Sequence, residues 1–109
     1  MRMDVRRGDV WYVDYEKSTG HEQHGKRPAI VVSNDIGNEH SPIVEVVWLT
    51  TAKKKDLPTH VRILGCGTAL CEQIHTIDKD RLMEFKKCCT DREMMQINKA
   101  MMISLGIIA

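Results

Sequence analysis

The chain has 109 residues, 42% hydrophobic and 28% charged, with a formal net charge of +1. That length suits one domain spanning residues 1–109, and the balance excludes a disordered or fibrous chain. So small a net charge also excludes the basic-tail type of nucleic-acid binder, leaving local clusters as the only way to grip a polyanion. The longest nearly apolar stretch, Met101 to Ala109, is about half the ~20 residues a spanning helix needs, and the start of the chain has no apolar signal core. The expected setting is cytoplasmic. There Cys66, Cys71, Cys88 and Cys89 stay reduced, and their C-x4-C and adjacent spacings do not match a structural zinc site.

Strand signals come first along the chain. Val10 to Tyr15 is β-branched and aromatic and follows the turn-like Arg7-Gly8-Asp9, which predicts a first strand. Lys17 to Arg27 has two glycines and no apolar residue and reads as a solvent-facing loop. Pro28 restricts Arg27 to extended geometry, and Ala29-Ile30-Val31-Val32 suits a strand buried on both faces. Asn34 to Pro42 is dense in turn formers, hence a loop, and Ile43 to Leu49 predicts strand three. After the charged Lys53-Lys54-Lys55-Asp56, Thr59 to Leu64 and Ala69 to Ile77 add two strands about Gly65-Cys66-Gly67. About five short strands without an intervening helix favour an antiparallel meander curled into a small barrel.

The last third changes period. Asp78 introduces a short helical turn around Lys79 to Phe85. Thr90 with Glu93 forms a capping box, Met94, Ile97, Met101 and Leu105 recur at helical spacing, and Gly106 marks the stop. This predicts a C-terminal amphipathic helix whose Met94, Met95, Met101 and Met102 fill the core.

No Gly-rich phosphate loop, G-x-S-x-G elbow, H-E-x-x-H or EF-hand spacing is present. What remains is a polar cluster, Glu22, Gln23, His24, Lys26 and Arg27, with Thr50-Thr51 at the end of strand three. Composition alone reads that cluster as a charged rim.

Five segments carry more: Arg7-Gly8-Asp9-Val10, Glu22-Gln23-His24-Gly25-Lys26-Arg27-Pro28, Ser33-Asn34-Asp35, Leu57-Pro58-Thr59, and Glu72-Gln73-Ile74-His75-Thr76-Ile77-Asp78-Lys79. In this order and spacing, across roughly Arg6 to Leu105, the chain resembles the MazF/PemK family of toxin endoribonucleases. The resemblance implies a mainly β fold of the α+β class, an SH3-like antiparallel β-barrel with a C-terminal helix. It implies a homodimeric toxin of a type II toxin-antitoxin system that cuts single-stranded RNA, mRNA above all, at short sequences. No metal or cofactor is implied, and the products are 2′,3′-cyclic phosphate and 5′-hydroxyl ends. An antitoxin protein inhibits such toxins by occupying the RNA groove.

Carried over by position, the family's arginine before proline falls on Arg27 and its strand-end threonine on Thr50, with Thr51 beside it. Glu22, Gln23 and Gln73 match positions that hold or orient RNA. One branch gives a base role to the acidic residue at Glu72, but its accompanying arginine aligns with Leu70 here. Many relatives carry arginine where His75 stands, so grip or sequence choice differs at that position.

The chemistry fits these residue types. Attack by a ribose 2′-hydroxyl on its own phosphate builds charge on the nonbridging oxygens, which a guanidinium fork and a hydroxyl donor stabilise. Guanidinium keeps its proton, so Arg27 is an electrostatic group, and Glu22, His24 and Glu72 are the base candidates. Lys53, Lys54, Lys55 and Arg62 add local positive charge, and Trp11, Tyr12 or Trp48 are available to stack a base. The plainer readings are a surface salt bridge from Arg27 to Glu22, strand-surface histidines at 60 and 75, and tryptophans in the core or a dimer interface. Two rival functions stand beside the nuclease: a non-enzymatic CcdB-like toxin acting on a protein target through its helix end, and an SH3-like interaction module.

Overall fold

The computed structural model describes residues 4–15 and 25–109. Among the described residues, six strands, β1 (Asp9–Tyr15), β2 (Gly25–Val31), β3 (Ile43–Thr50), β4 (His60–Ile63), β5 (Gly67–Asp78) and β6 (Leu82–Cys88), form one sheet in the order β4-β5-β3-β2-β1-β6. Each neighbouring pair runs antiparallel. The sheet curls into an open half-barrel, with β4 and β6 as its edges, and so realises the expected mainly β, barrel-like class without closing the ring. Helix α2 (Asp91–Ser104) packs against β4 and β5.

Alternation along the strands sorts the core into two layers. On the α2 face, Val10, Ile30, Val47, Leu49, Ala69 and Cys71 pack with Ile97 and Ala100 of the helix. On the opposite face lie Val13, Ala29, Val31, Val46, Trp48 and Ile77. Strands β2 and β3 contribute to both layers, which is why Ala29-Ile30-Val31-Val32 is a continuous apolar run. Both tryptophans belong to this core, with Trp11 6% and Trp48 3% exposed.

The sequence expectations fail at several places for physical reasons. Asn34 to Pro42 contains a short helix, α1 (Asp35–His40), started by the Asn34 side chain accepting from the Gly37 amide and tied down by the buried Asn38. Turn-forming residues are also capping residues, so the two readings share a composition. The helical turn expected over Lys79 to Phe85 is confined to the 3-10 segment Lys79–Arg81, and the chain then enters β6. Within β6 only Leu82 is buried, because β6 is an edge strand and its charges face solvent. Of the predicted loop, residues 17–24 lie outside the described residues, and Gly25 to Arg27 already belong to β2.

The C-terminal helix follows its signals. The Thr90 side chain accepts from the Glu93 amide at 3.1 Å, and the Glu93 carboxylate accepts from the Thr90 amide at 2.9 Å and the Leu64 amide at 3.0 Å. Partial burial pushes the Glu93 carboxyl up, but these hydrogen bonds outweigh it and hold it below the usual carboxylate range. Met94 and Met101 pack on the core as expected, whereas Met95 is exposed. Gly106 takes φ 75° after the last turn, the left-handed stop that glycine adopts without strain. No helix among the described residues is long and apolar enough to cross a membrane. Replacing Thr90→Ala removes half of the capping box and lowers unfolding free energy by about 1 kcal/mol, measured by denaturant titration.

Candidate functional site

Pairing register decides which side chains share a face. Ala29 of β2 lies opposite Trp48 of β3, and continuing that register by two residues sets Arg27 across from Thr50. The ladder itself stops at Ala29, beside Pro28, which has no N–H to give. Arg27 shares its face with Ala29 and Val31, and Thr50 shares its face with Trp48 and Val46, on the side away from α2. Trp48 joins them: the Arg27 guanidinium carbon lies 4.8 Å from the centre of its ring. The tryptophan thus supports the arginine and is not a free platform for stacking. Tyr12 is also engaged, with the ammonium groups of Lys26 and Lys86 at 5.5 and 5.6 Å from its ring centre.

The Trp48 indole N–H donates to Nδ1 of His75, whose ring meets the indole edge-on at 5.8 Å. Indole is a donor only, so Nδ1 of His75 is unprotonated in this contact and the ring proton sits on Nε2. The exposed imidazole therefore presents an N–H to solvent on the same face as Arg27. The strand-surface reading of His75 gives its exposure and misses this orientation.

Thr50 is held from two directions. Its hydroxyl accepts from the Ala52 amide at 3.1 Å, and across the ladder it pairs with Thr68, which pairs in turn with Arg62 of β4. Cross-strand partners share a face, so Thr50, Thr68 and Arg62 form a row over three strands. Next to Thr68, Gly67 has φ 91°, and a Cβ there would run into the Thr50 carbonyl. Only glycine lets the two backbones approach so closely.

Residues 51–56, which follow β3, border a cavity of about 480 Å³ lined by Thr51, Lys53, Lys54, Lys55, Asp56, His60 and Arg62 among others. His60 is not surface: its side chain is 8% exposed. Nδ1 lies 2.8 Å from the Lys55 carbonyl oxygen, and Nε2 lies 3.1 Å from the Glu72 carboxylate. A carbonyl and an ionised carboxylate can only accept, so both contacts are satisfied together when the imidazole is protonated and both ring nitrogens donate. Burial pulls His60 down, but the Lys55 carbonyl and the Glu72 carboxylate outweigh it and raise it above its ordinary 6.5. Burial pushes Glu72 up, but hydrogen bonds led by His60 outweigh it and lower it below its ordinary 4.5. Glu72 and Gln73 occupy a kink of β5, where the step from Val47 to Leu49 on β3 matches the longer step from Ile74 to Ala69.

Of the residues expected from sequence, Arg27, Thr50 and His75 share the face away from α2, Thr51 borders the adjoining cavity, and Glu72 is committed to His60. Glu22, Gln23 and His24 lie outside the described residues. Sequence reasoning missed Trp48 as the support of Arg27 and His60 as a fastened residue. No local signal marks either, because each depends on which strands become neighbours.

The model of the PemK-like, MazF-like toxin family of type II toxin-antitoxin systems matches residues 6–105. The chain belongs to this PemK/MazF toxin family. It is 40% identical to an endoribonuclease MazF of Staphylococcus saprophyticus, with 94% of this chain and 92% of that protein aligned. An endoribonuclease in complex with its cognate antitoxin, from a mycobacterial species, superposes with a TM-score of 0.82 at 30% identity, covering 96% of this chain and 98% of the other. A MazE-MazF structure from Deinococcus radiodurans shares the fold with a TM-score of 0.87 at 20% identity, over 98% and 100% of the two chains. Membership favours the toxin endoribonuclease over the CcdB-like and interaction-module readings.

Two outcomes follow for the PemK/MazF scaffold. Gly67→Ala strains the left-handed backbone and displaces the Thr50 carbonyl, at a cost of about 1–3 kcal/mol in a denaturant titration. The His60 contribution to stability is complete below 6.5 and fades as pH rises through the raised value; the Glu72 contribution is complete above 4.5 and fades as pH falls through the lowered value. The melting-temperature gap between the native chain and Glu72→Gln is therefore widest between pH 4.5 and 6.5 and narrows on either side. A gap that does not change with pH is incompatible with the ion pair.

Proposed function

We propose that this endoribonuclease toxin cuts single-stranded RNA, mRNA in the cell, at a short sequence and without a metal. The whole of residues 1–109 acts as one domain, in the cytoplasm, as a homodimer, and a cognate antitoxin protein blocks it by covering the RNA groove. The observation that carries this reading is the Trp48 ring beneath the Arg27 guanidinium on the face that also bears Thr50. In the reaction the ribose 2′-oxygen forms a bond to the adjacent phosphorus while the bond from phosphorus to the 5′-oxygen breaks. The 2′-hydroxyl proton passes to a base and the departing 5′-oxygen gains a proton, leaving a 2′,3′-cyclic phosphate and a 5′-hydroxyl.

Arg27 serves as the fork that binds the nonbridging oxygens as their charge grows, and Thr50 adds a hydroxyl donor. Stacking on a buried indole limits the rotamers of the long side chain, so the entropic penalty is smaller when the fork engages phosphate. Because Glu72 is an ionised partner of His60, the base role falls to Glu22 or His24. Thr51, Gln73 and His75 contact the flanking nucleotides. Incubating the pure protein with long single-stranded RNA in chelator yields discrete fragments with cyclic phosphate ends. Arg27→Ala lowers kcat by about 10²–10³, the effect typical of removing one such donor, with an unchanged circular dichroism spectrum. Near-native turnover in that variant removes Arg27 from the site.

A further inference from the structure

Beyond the Arg27 and Thr50 pair, a second charged feature lies on the molecule. Residues 51–58 have no regular structure of their own and carry three consecutive lysines, a segment whose repelling ammonium groups favour an open, solvated chain. Contacts from outside the segment counter that tendency, among them the His60 amide, which donates to the Leu57 carbonyl at 2.9 Å. The His60 imidazole reaches back to the Lys55 carbonyl and forward to Glu72 in the kink of β5. The segment is thereby fastened at its lysine end, while the Thr50 hydroxyl grips the Ala52 amide at the other end. Between the fastenings lies the cavity of about 480 Å³, whose wall includes Lys53, Lys54, Lys55 and Arg62. Arg62 stands in the same cross-strand row as Thr50. Asp56 is the one carboxylate among the described residues of that wall.

We infer that His60 is a positioning residue for RNA cleavage: clamped between Lys55 and Glu72, it holds the lysine segment so that the cavity takes a backbone phosphate flanking the one being cut. This rests on the RNA-cutting reading above. The cavity suits a phosphodiester, because cationic side chains surround it and Thr51 adds a hydroxyl at its rim. Binding there strengthens the hold on ground state and transition state alike, so removing it shows in KM and leaves kcat in place.

Glu72→Gln separates positioning from plain electrostatics. The variant is one unit more positive beside the cavity, so a simple charge effect tightens RNA binding and lowers KM. Positioning requires the reverse. The expected result is a KM for single-stranded RNA raised by roughly fivefold with kcat within about twofold of native. His60→Gln, which keeps a hydrogen-bonding group but cannot bridge both partners, reproduces the rise in KM. The triple variant Lys53→Ala, Lys54→Ala, Lys55→Ala makes the salt dependence of kcat/KM shallower by about 0.7 in logarithmic slope for each phosphate no longer neutralised. A lowered or unchanged KM in Glu72→Gln overturns the inference, as does a collapse of kcat, which makes Glu72 the base. If Glu72→Gln does not fold, an unchanged salt slope in the lysine variant overturns it instead. Native protein that leaves RNA intact defeats the RNA-cutting reading itself, a failure seen before any variant is compared.

Discussion

The arrangement depends on the irregular pairing of β3 with β5. Above the irregularity β5 follows β3 from Ile43 to Val47, and below it β5 pairs with both β3 and β4. The residues of β5 left over between the two stretches bulge, and the sheet bends there. Trp48 sits opposite this bulge. Because the ladder sets no directly opposed β5 residue against it, the ring is able to carry a guanidinium on its face and to donate from its edge.

The same bend explains why charged groups are tolerated so near a core. Arg27 and Thr50 are half-buried, and His60 is mostly buried, yet each has partners suited to its chemistry. An aromatic face suits a weakly hydrated guanidinium, whereas a compact imidazolium needs acceptors at both nitrogens. An ion pair with one partner still 41% exposed stabilises modestly and responds to pH, which fits a fastening for a loop better than a stabiliser of the whole sheet.

Helix α2 belongs to the other side of the molecule. Its Ile97 and Ala100 close the core layer on its own face, and its capping box also binds the turn before β5 through Glu93 and the Leu64 amide. Arg7 adds a tie, donating to the Val32 carbonyl at 2.8 Å and to Asn98 of the helix at 2.6 Å. The Glu93 contact holds the β4 and β5 end from behind and Arg7 ties the end of β2 to α2, so the face bearing Arg27 and Thr50 is built on elements that are packed on both sides.

Much of this was legible in the chain itself. Local signals of short reach, the β-branched runs at Val10 and Ala29, the Thr90 and Glu93 cap and the glycine at 106, placed the strands and the final helix, because capping and alternation act within a few residues. The ordered motifs likewise carried the family, and the assignment of Arg27 and Thr50 to the reaction is the proposal that rests on it. An edge strand such as β6, exposed on both faces at most positions, has no apolar period to read. Pairing between distant strands decided the rest: that Trp48 lies under Arg27, that Gly67 touches Thr50, and that His60 meets Glu72. Those contacts follow from register across hydrogen-bonded neighbours, a property of the assembled sheet that no single segment contains.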